Sequence, residues 1–299
     1  MGRSDLSSIA VDQVSTIKLD LYKGGILNYN VEDLLYFLGK TAERLCAIEA
    51  AAGTSGNISV RADVFPVEEF PQEGSRDVAF QELGREYPEL HGNRFVITGS
   101  GKNLRFIGER PHECLALIEL VAGGYNVLWG LEEGESITSE HPAHFTTYQC
   151  RPRVSALVHA QPISINVLTR LFRSEDSLNR LLFAQHEQLK AYSPKGTGLV
   201  DALSHGSDEL ARAVASSLNE KNICAVVRHG TFSVGEKEPI RALNLACDLQ
   251  EYYHDAARTF LDNPWLRLLP VDFMLKNLGR ISRLPLGDKV VGAFLRPPK

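Results

Sequence analysis

Three segments of this 299-residue chain place histidine or carboxylate where a strand or turn ends. They are Thr138-Ser139-Glu140-His141-Pro142-Ala143-His144, Ala156-Leu157-Val158-His159-Ala160-Gln161-Pro162 and Val226-Val227-Arg228-His229-Gly230. His159 and His229 each close an apolar run of the kind that forms a buried strand, so both can point into a shared crevice. Two such histidines and one more donor make a three-ligand site with an open position, which is what a catalytic divalent metal needs. His159 and Gln161 are two residues apart and face the same way on extended chain. The same histidines also read as hydrogen-bonded core or surface residues. Glu140 and His144, at i and i+4, also read as an ordinary pair on one helix face.

Two further segments are shaped for anions. Gly53-Thr54-Ser55-Gly56-Asn57 precedes a strand, and Thr98-Gly99-Ser100-Gly101-Lys102 follows one. Glycine lets backbone N–H groups turn toward an anion, the hydroxyls add donors, and Lys102 adds charge. Each segment taken alone is also a plain tight turn. The dinucleotide fingerprint GxGxxG and the phosphate loop GxxxxGK[ST] are both absent.

The elements that must carry these residues alternate along the chain. Asn30 is a good N-cap, and Leu34, Leu35, Phe37, Leu38, Leu45 and Ile48 recur at helical spacing up to Gly53. Ile58 to Arg61 alternates as a strand. Residues 64–93, rich in Pro, Glu and Gly, are expected to be a long surface excursion. A strand over Arg94 to Thr98 follows. Pro111 is expected to open a helix through Leu115, Leu117, Ile118 and Val121, stopping at Gly123-Gly124. Tyr125 to Leu128, Val154 to Val158, Leu189 to Tyr192 and Cys224 to Val227 are expected strands. Helices are expected after Ser139, over Ser164 to Phe172, after Ser207, and over Pro239 to Phe260. One α/β domain spanning 1–299 is the simplest organisation, with a core of about 31–262 and a C-terminal tail over 263–299.

Composition narrows the class of function. The chain is 43% hydrophobic and 23% charged, as globular proteins are. A formal charge of -5 gives no footprint for nucleic acid, and no basic block suits a lipid surface. Five cysteines, an odd number with no CxxC pair, point to reduced thiols. The N-terminal residues lack the apolar core of a signal peptide, and no apolar run reaches the ~20 residues of a membrane span. A soluble cytoplasmic protein is the expectation.

Taken in order, the five segments resemble the class II aldolase and adducin superfamily. Ser55-Gly56-Asn57-Ile58-Ser59 is similar to its first phosphate-binding loop, and Phe95 to Lys102 to its second. Ser139-Glu140, then His159, then His229-Gly230 are similar to its base and metal ligands. Ile97 to Lys102, Leu128-Trp129-Gly130-Leu131 and Thr138 to Phe145 look most like the rhamnulose-1-phosphate aldolase branch. The resemblance implies an α/β/α sandwich with a mostly antiparallel central sheet. It implies a homotetramer with active sites between subunits. It also implies reversible cleavage of a ketose 1-phosphate to dihydroxyacetone phosphate and an aldehyde.

By the same resemblance, zinc or another divalent ion is held by His159, Gln161 and His229, and Glu140 is the base. Thr54, Ser55, Gly56, Asn57, Ser100, Gly101, Thr138 and Ser139 hold the phosphate. The family pattern has His-x-His where this chain has His159-Ala160-Gln161, and a neutral amide oxygen is a weaker zinc donor than imidazole nitrogen. Arg228 beside His229 adds positive charge if its side chain turns inward. Where that branch has a proton-donating Glu reaching into the neighbouring subunit, this chain has Gln188, with Glu187 or His186 beside it able to take over as donor. Two alternatives share the fold. One is an epimerase, dehydratase or decarboxylase, and the other is a non-catalytic, adducin-like binding protein with a degraded metal site.

Overall fold

Residues 29–262 are described by the computed structural model, so the expected tail over 263–299 lies outside the described residues. Leu34, Leu38 and Leu45 do line one buried face of a helix, α1 (Val31–Ala47), with Glu32 and Asp33 in the first turn where carboxylates suit the helix dipole. Strands β1 (Asn57–Arg61), β2 (Ser75–Glu82) and β3 (Arg94–Thr98) follow. A single helical turn, α2 (Pro111–Cys114), leads into the hairpin β4 (Leu115–Val121) and β5 (Gly124–Gly130). Next come α3 (His141–Cys150), β6 (Val154–Ala160), α4 (Ile163–Leu171), α5 (Glu175–Gln185) and α6 (Gln188–Tyr192). The chain continues through β7 (Gly198–Val200), α7 (Asp208–Leu218), β8 (Ile223–Val226), β9 (Gly230–Glu236) and α8 (Pro239–Leu261).

Among the described residues the strands form one sheet in the order β2-β5-β4-β3-β1-β6-β9-β8-β7. Every neighbouring pair is antiparallel except β7 with β8. Helices cover both faces, and the period of two along β8 shows how. Cys224 and Val226 join a core with Phe145 and Tyr148 of α3 and Leu210, Val214 and Leu218 of α7. Ile223 and Ala225 join a second core with Ile165 and Leu168 of α4 and Leu249 and Tyr253 of α8. The expected α/β/α sandwich is therefore what the chain forms. Among the described residues no helix is long and apolar enough to cross a membrane. All five cysteines are free thiols.

Several local expectations change. The helix expected from Pro111 to Gly123 survives only as α2, and Leu115–Val121 is a central strand paired with β3 and β5. A strand buried on both faces is a near-continuous apolar run, and such a run carries helical spacing as readily as alternation. The excursion at 64–93 contains β2, an edge strand bonded only to β5. Val78 and Phe80 on it are exposed, so it has no apolar-in, polar-out pattern to read. Leu189 to Tyr192 lies in a helix, α6. The helix expected after Ser139 begins at His141, with Glu140 at the N-cap position.

Phe145 seats α3 on the sheet. Its ring is fully buried, 5.2 Å from Tyr87 and 5.5 Å from Phe95 by centroid. Phe145→Ala is expected to cost about 3–5 kcal/mol through lost transfer energy and the cavity left behind. Urea unfolding checks this, and a loss under about 1 kcal/mol means that α3 does not depend on this contact.

Candidate active site at the ends of β1, β6 and β9

Residue register builds the site. On β1, Asn57 and Ser59 point to the α3 face, and Asn57 pairs directly with His159 of β6. His159 in turn pairs with Phe232 of β9, and the two rings stack at 4.1 Å. The His159 Nδ1 lies 2.9 Å from the Thr231 carbonyl, which can only accept, so Nδ1 carries a proton and Nε2 is the nitrogen turned into the site. Two glycines allow the strand ends to close this tightly. A Cβ on Gly56, at φ +81°, would lie 3.0 Å from the His159 carbonyl oxygen, and one on Gly230 would lie 2.3 Å from that of Ala160.

Glu140 arrives from the other side. The Thr138 N–H donates to the Thr98 carbonyl at 2.9 Å, tying this segment to the end of β3. Glu140 is buried, with Oε2 3.0 Å from His159 Nε2 and Oε1 3.1 Å from His229 Nε2. His229 sits on the β8–β9 turn, just after Arg228, whose φ of 64° is left-handed and strained for a non-glycine residue. Arg228 itself is exposed, so its charge faces solvent.

The ligand atoms of Glu140, His159 and His229 all lie within 4.8 Å of one another. Burial pushes the Glu140 carboxyl up. The charges of His159 and His229 and their hydrogen bonds outweigh it, and the net position is well below the usual carboxylate range. The cluster thus holds an anionic oxygen donor and two imidazoles, each with Nε2 turned inward. Those are oxygen and nitrogen donors that a divalent cation takes readily. Among the described residues the buried His229 Nδ1 has no hydrogen-bond partner, so the ring orientation rests on the inward contacts.

Gln161 is beside this cluster but presents the wrong atom. Its Nε2 lies 3.2 Å from His159 Nε2, the atom that also faces Glu140 Oε2 at 3.0 Å. To serve a cation the amide must turn and offer Oε1 instead. Of the anion-loop residues, Asn57 and Thr138 are buried, while Thr54, Ser100, Gly101 and Ser139 are exposed. Lys102 forms an ion pair with Glu135, which already takes up much of its charge. Glu187 and Gln188 are exposed at the link between α5 and α6, and among the described residues no hydrogen bond or ion pair joins Glu187 to the cluster.

A second layer was not legible in the sequence. His144, read there as a helix-face partner of Glu140, is fully buried and bonds to β1 instead. Its Nε2 is 2.5 Å from Asn57 Oδ1, and its Nδ1 is 2.6 Å from Ser59 Oγ. The Tyr148 hydroxyl lies 2.8 Å from the same Oγ and donates to the Ser59 carbonyl at 3.0 Å. One signal pointed there: Asn57 and Ser59 are polar at i and i+2 in a strand whose Ile58 and Val60 are apolar.

Burial, with repulsion from His159 behind it, pushes the His144 imidazole down from 6.5 to about 3. The unfolded chain therefore takes up a proton near 6.5 that the folded chain refuses until about 3. Stability is fully present above the unfolded value and falls with pH across that window, by up to about 1.4 kcal/mol per pH unit. His141, also lowered by burial, adds in the same direction. Urea midpoints from pH 7 to pH 4 should drop steeply for the native protein and less steeply for His144→Gln. Equal slopes would remove His144 as the source.

Known proteins share this arrangement of segments. The model of the class II aldolase and adducin N-terminal domain matches residues 38–260. The rhamnulose-1-phosphate aldolase of Yersinia pestis (strain Pestoides F) is 30% identical over 188 residues, covering 60% of this chain and 69% of that protein. The enzyme of the same name from Klebsiella pneumoniae is 27% identical over 188 residues, covering 60% and 68%. Among solved structures, a sugar-phosphate aldolase from Thermotoga maritima aligns with a TM-score of 0.64 at 24% identity, covering 80% of this chain and 98% of that one. The L-fuculose-1-phosphate aldolase of Thermus thermophilus aligns with a TM-score of 0.52 at 24% identity, covering 79% and 97%. At such identity the structural likeness speaks for the fold.

Proposed function

The chain belongs to the class II aldolase and adducin family, and from that premise we propose that it is a divalent-metal-dependent aldolase cleaving a ketose 1-phosphate into dihydroxyacetone phosphate and an aldehyde. The observation that carries this reading is the convergence of Glu140, His159 and His229, with their ligand atoms within 4.8 Å. His159 and His229 hold the ion, zinc or another divalent metal, with Gln161 as the third ligand once its amide turns. When bound, the ion supplies Lewis-acid polarisation of the substrate carbonyl.

The chain's own residues do the rest. In the condensation direction Glu140 removes a proton from the hydroxymethyl carbon of dihydroxyacetone phosphate, and in cleavage it returns that proton to the same carbon. Thr54, Ser55, Gly56, Asn57, Ser100, Gly101, Thr138 and Ser139 hold the phosphate through hydroxyls, one amide and backbone N–H groups. The chain acts as a homotetramer in the cytoplasm; in condensation the exposed Glu187 of a neighbour protonates the aldehyde oxygen, and in cleavage it takes that proton back from the hydroxyl that becomes the aldehyde. A rhamnulose-1-phosphate-like ketose is the favoured substrate, because the relatives at 27% and 30% identity carry that name. The test is release of dihydroxyacetone phosphate from rhamnulose 1-phosphate and fuculose 1-phosphate in the presence of zinc, manganese or cobalt. Release that stops with EDTA supports the reading. No release from either sugar with any ion overturns it.

Gln161 favours a second reading, a metal-poor binding protein, because it sets an amide nitrogen and not an oxygen 3.2 Å from His159 Nε2. The two readings separate on metal content. The purified protein is expected to carry clearly less than one zinc per chain, and Gln161→His to raise this to about one, as a third imidazole completes a closed set of protein ligands. Elemental analysis of both proteins checks this. A His variant that binds no more metal than the native chain removes position 161 from the ligand set.

A further inference from the structure

The buried network behind the cluster has a direction. Glu140 Oε2 is a carboxylate oxygen and only accepts, so the end of the Asn57 amide facing it at 3.4 Å is the NH2 group. Asn57 Oδ1 then faces His144 Nε2, which must carry a proton and donate. A neutral imidazole has one N–H, so His144 Nδ1 accepts, and the Ser59 hydroxyl donates to it. Tyr148 supports Ser59 from behind through its own hydroxyl. The reversed amide would set Asn57 Oδ1 against the Glu140 carboxylate, acceptor against acceptor. His144 would also have to move its proton from Nε2 to Nδ1 and donate to the Ser59 hydroxyl instead of accepting from it. His144, Ser59, Asn57 and Tyr148 are all buried, so water is not there to repair such a mismatch.

We infer that His144 is a positioning residue: it locks the Asn57 amide with NH2 toward Glu140 and thereby fixes the carboxylate where the substrate carbon must meet it. His144 touches neither Glu140 nor the cluster histidines by hydrogen bond and acts through Asn57 alone. The inference rests on the proposed role of Glu140, and its consequence is a coupling. A misplacement of about 1 Å at a reacting group costs on the order of 10²-fold in rate. His144→Phe, which keeps a ring but no hydrogen bonds, is therefore expected to lower kcat/KM about 10²-fold. Ser59→Ala, which removes a single buried oxygen, is expected to lower it about tenfold, the worth of one hydrogen bond. In an Asn57→Ala background neither change should lower it further.

Two measurements test this. The first is the double-mutant series in dihydroxyacetone phosphate proton exchange and in cleavage. Losses from His144→Phe or Ser59→Ala that persist undiminished on top of Asn57→Ala overturn the coupling. If His144→Phe does not fold, the Ser59→Ala series decides alone. The second does not need activity. In protein labelled with 15N on asparagine, the pair of side-chain amide signals that vanishes in Asn57→Ala should be protected from solvent exchange. Ser59→Ala should shift those signals and speed their exchange. Unchanged Asn57 amide signals in Ser59→Ala overturn the lock. If the native protein shows neither exchange nor cleavage, the aldolase reading fails while the amide signals still decide the positioning role.

Discussion

Glu140→Gln is expected to lower proton exchange between dihydroxyacetone phosphate and solvent deuterium by about 10²–10⁴-fold, the usual worth of a general base. The substitution keeps the size of the side chain and much of its hydrogen bonding. It removes the charge that His159 and His229 hold in place at 3.0 and 3.1 Å. Those contacts keep the carboxyl ionised despite its burial, so at neutral pH the group carries no proton. The exchange reaction isolates the step at carbon, because it needs no aldehyde and no donor from a neighbouring chain. Equal exchange by native and variant protein would remove Glu140 as the base. Exchange by neither would move weight to the metal-poor binding reading or to another reaction on the same scaffold.

His159→Ala should have the largest combined effect. It deletes one inward Nε2 of the cluster and the ring that stacks on Phe232. It also takes a buried donor from the Thr231 carbonyl and the nearer of two donors from Glu140 Oε2. Removing one partner of a buried charged contact typically costs about 3–5 kcal/mol, because the remaining charge is left without compensation. Metal content should fall below detection and activity with it, and the urea midpoint of the metal-free protein should drop. His229→Ala should remove the metal too, with a smaller loss of stability, because His229 is partly exposed on a turn and its Nδ1 has no partner to strand. Metal binding by either variant at the native level would take the replaced histidine out of the ligand set. Equal losses of stability in the two variants would contradict the difference in burial.

Much of this site could be read before any coordinates. His159 and His229 stood at the ends of apolar runs, and burial on both faces of β6 and β8 makes such runs conspicuous. The loops around Gly56 and Gly101 announced themselves because turns with positive φ favour glycine, here at 81° and 67°. Helices α1, α7 and α8 followed from their spacing and caps, and the Ser207 side chain does accept from Leu210 N–H. These features are local, and local sequence carries them.

What only the tertiary structure decided is pairing. β4 became a strand because β3 and β5 offer hydrogen bonds on both sides, an advantage that no window of its own residues contains. Glu140 and His144 looked like neighbours on one helix face. Glu140 instead lies before the helix and meets residues 19 and 89 positions further on, while His144 turns back 85 and 87 positions to Ser59 and Asn57. Gln161 was legible as a departure from the family pattern, yet which of its atoms faces His159 is set by the hydrogen bonds around it. Chemistry-bearing residue types are written in the chain. The state and direction of each one depend on partners brought together from distant segments, and the water-free interior makes those partners decisive.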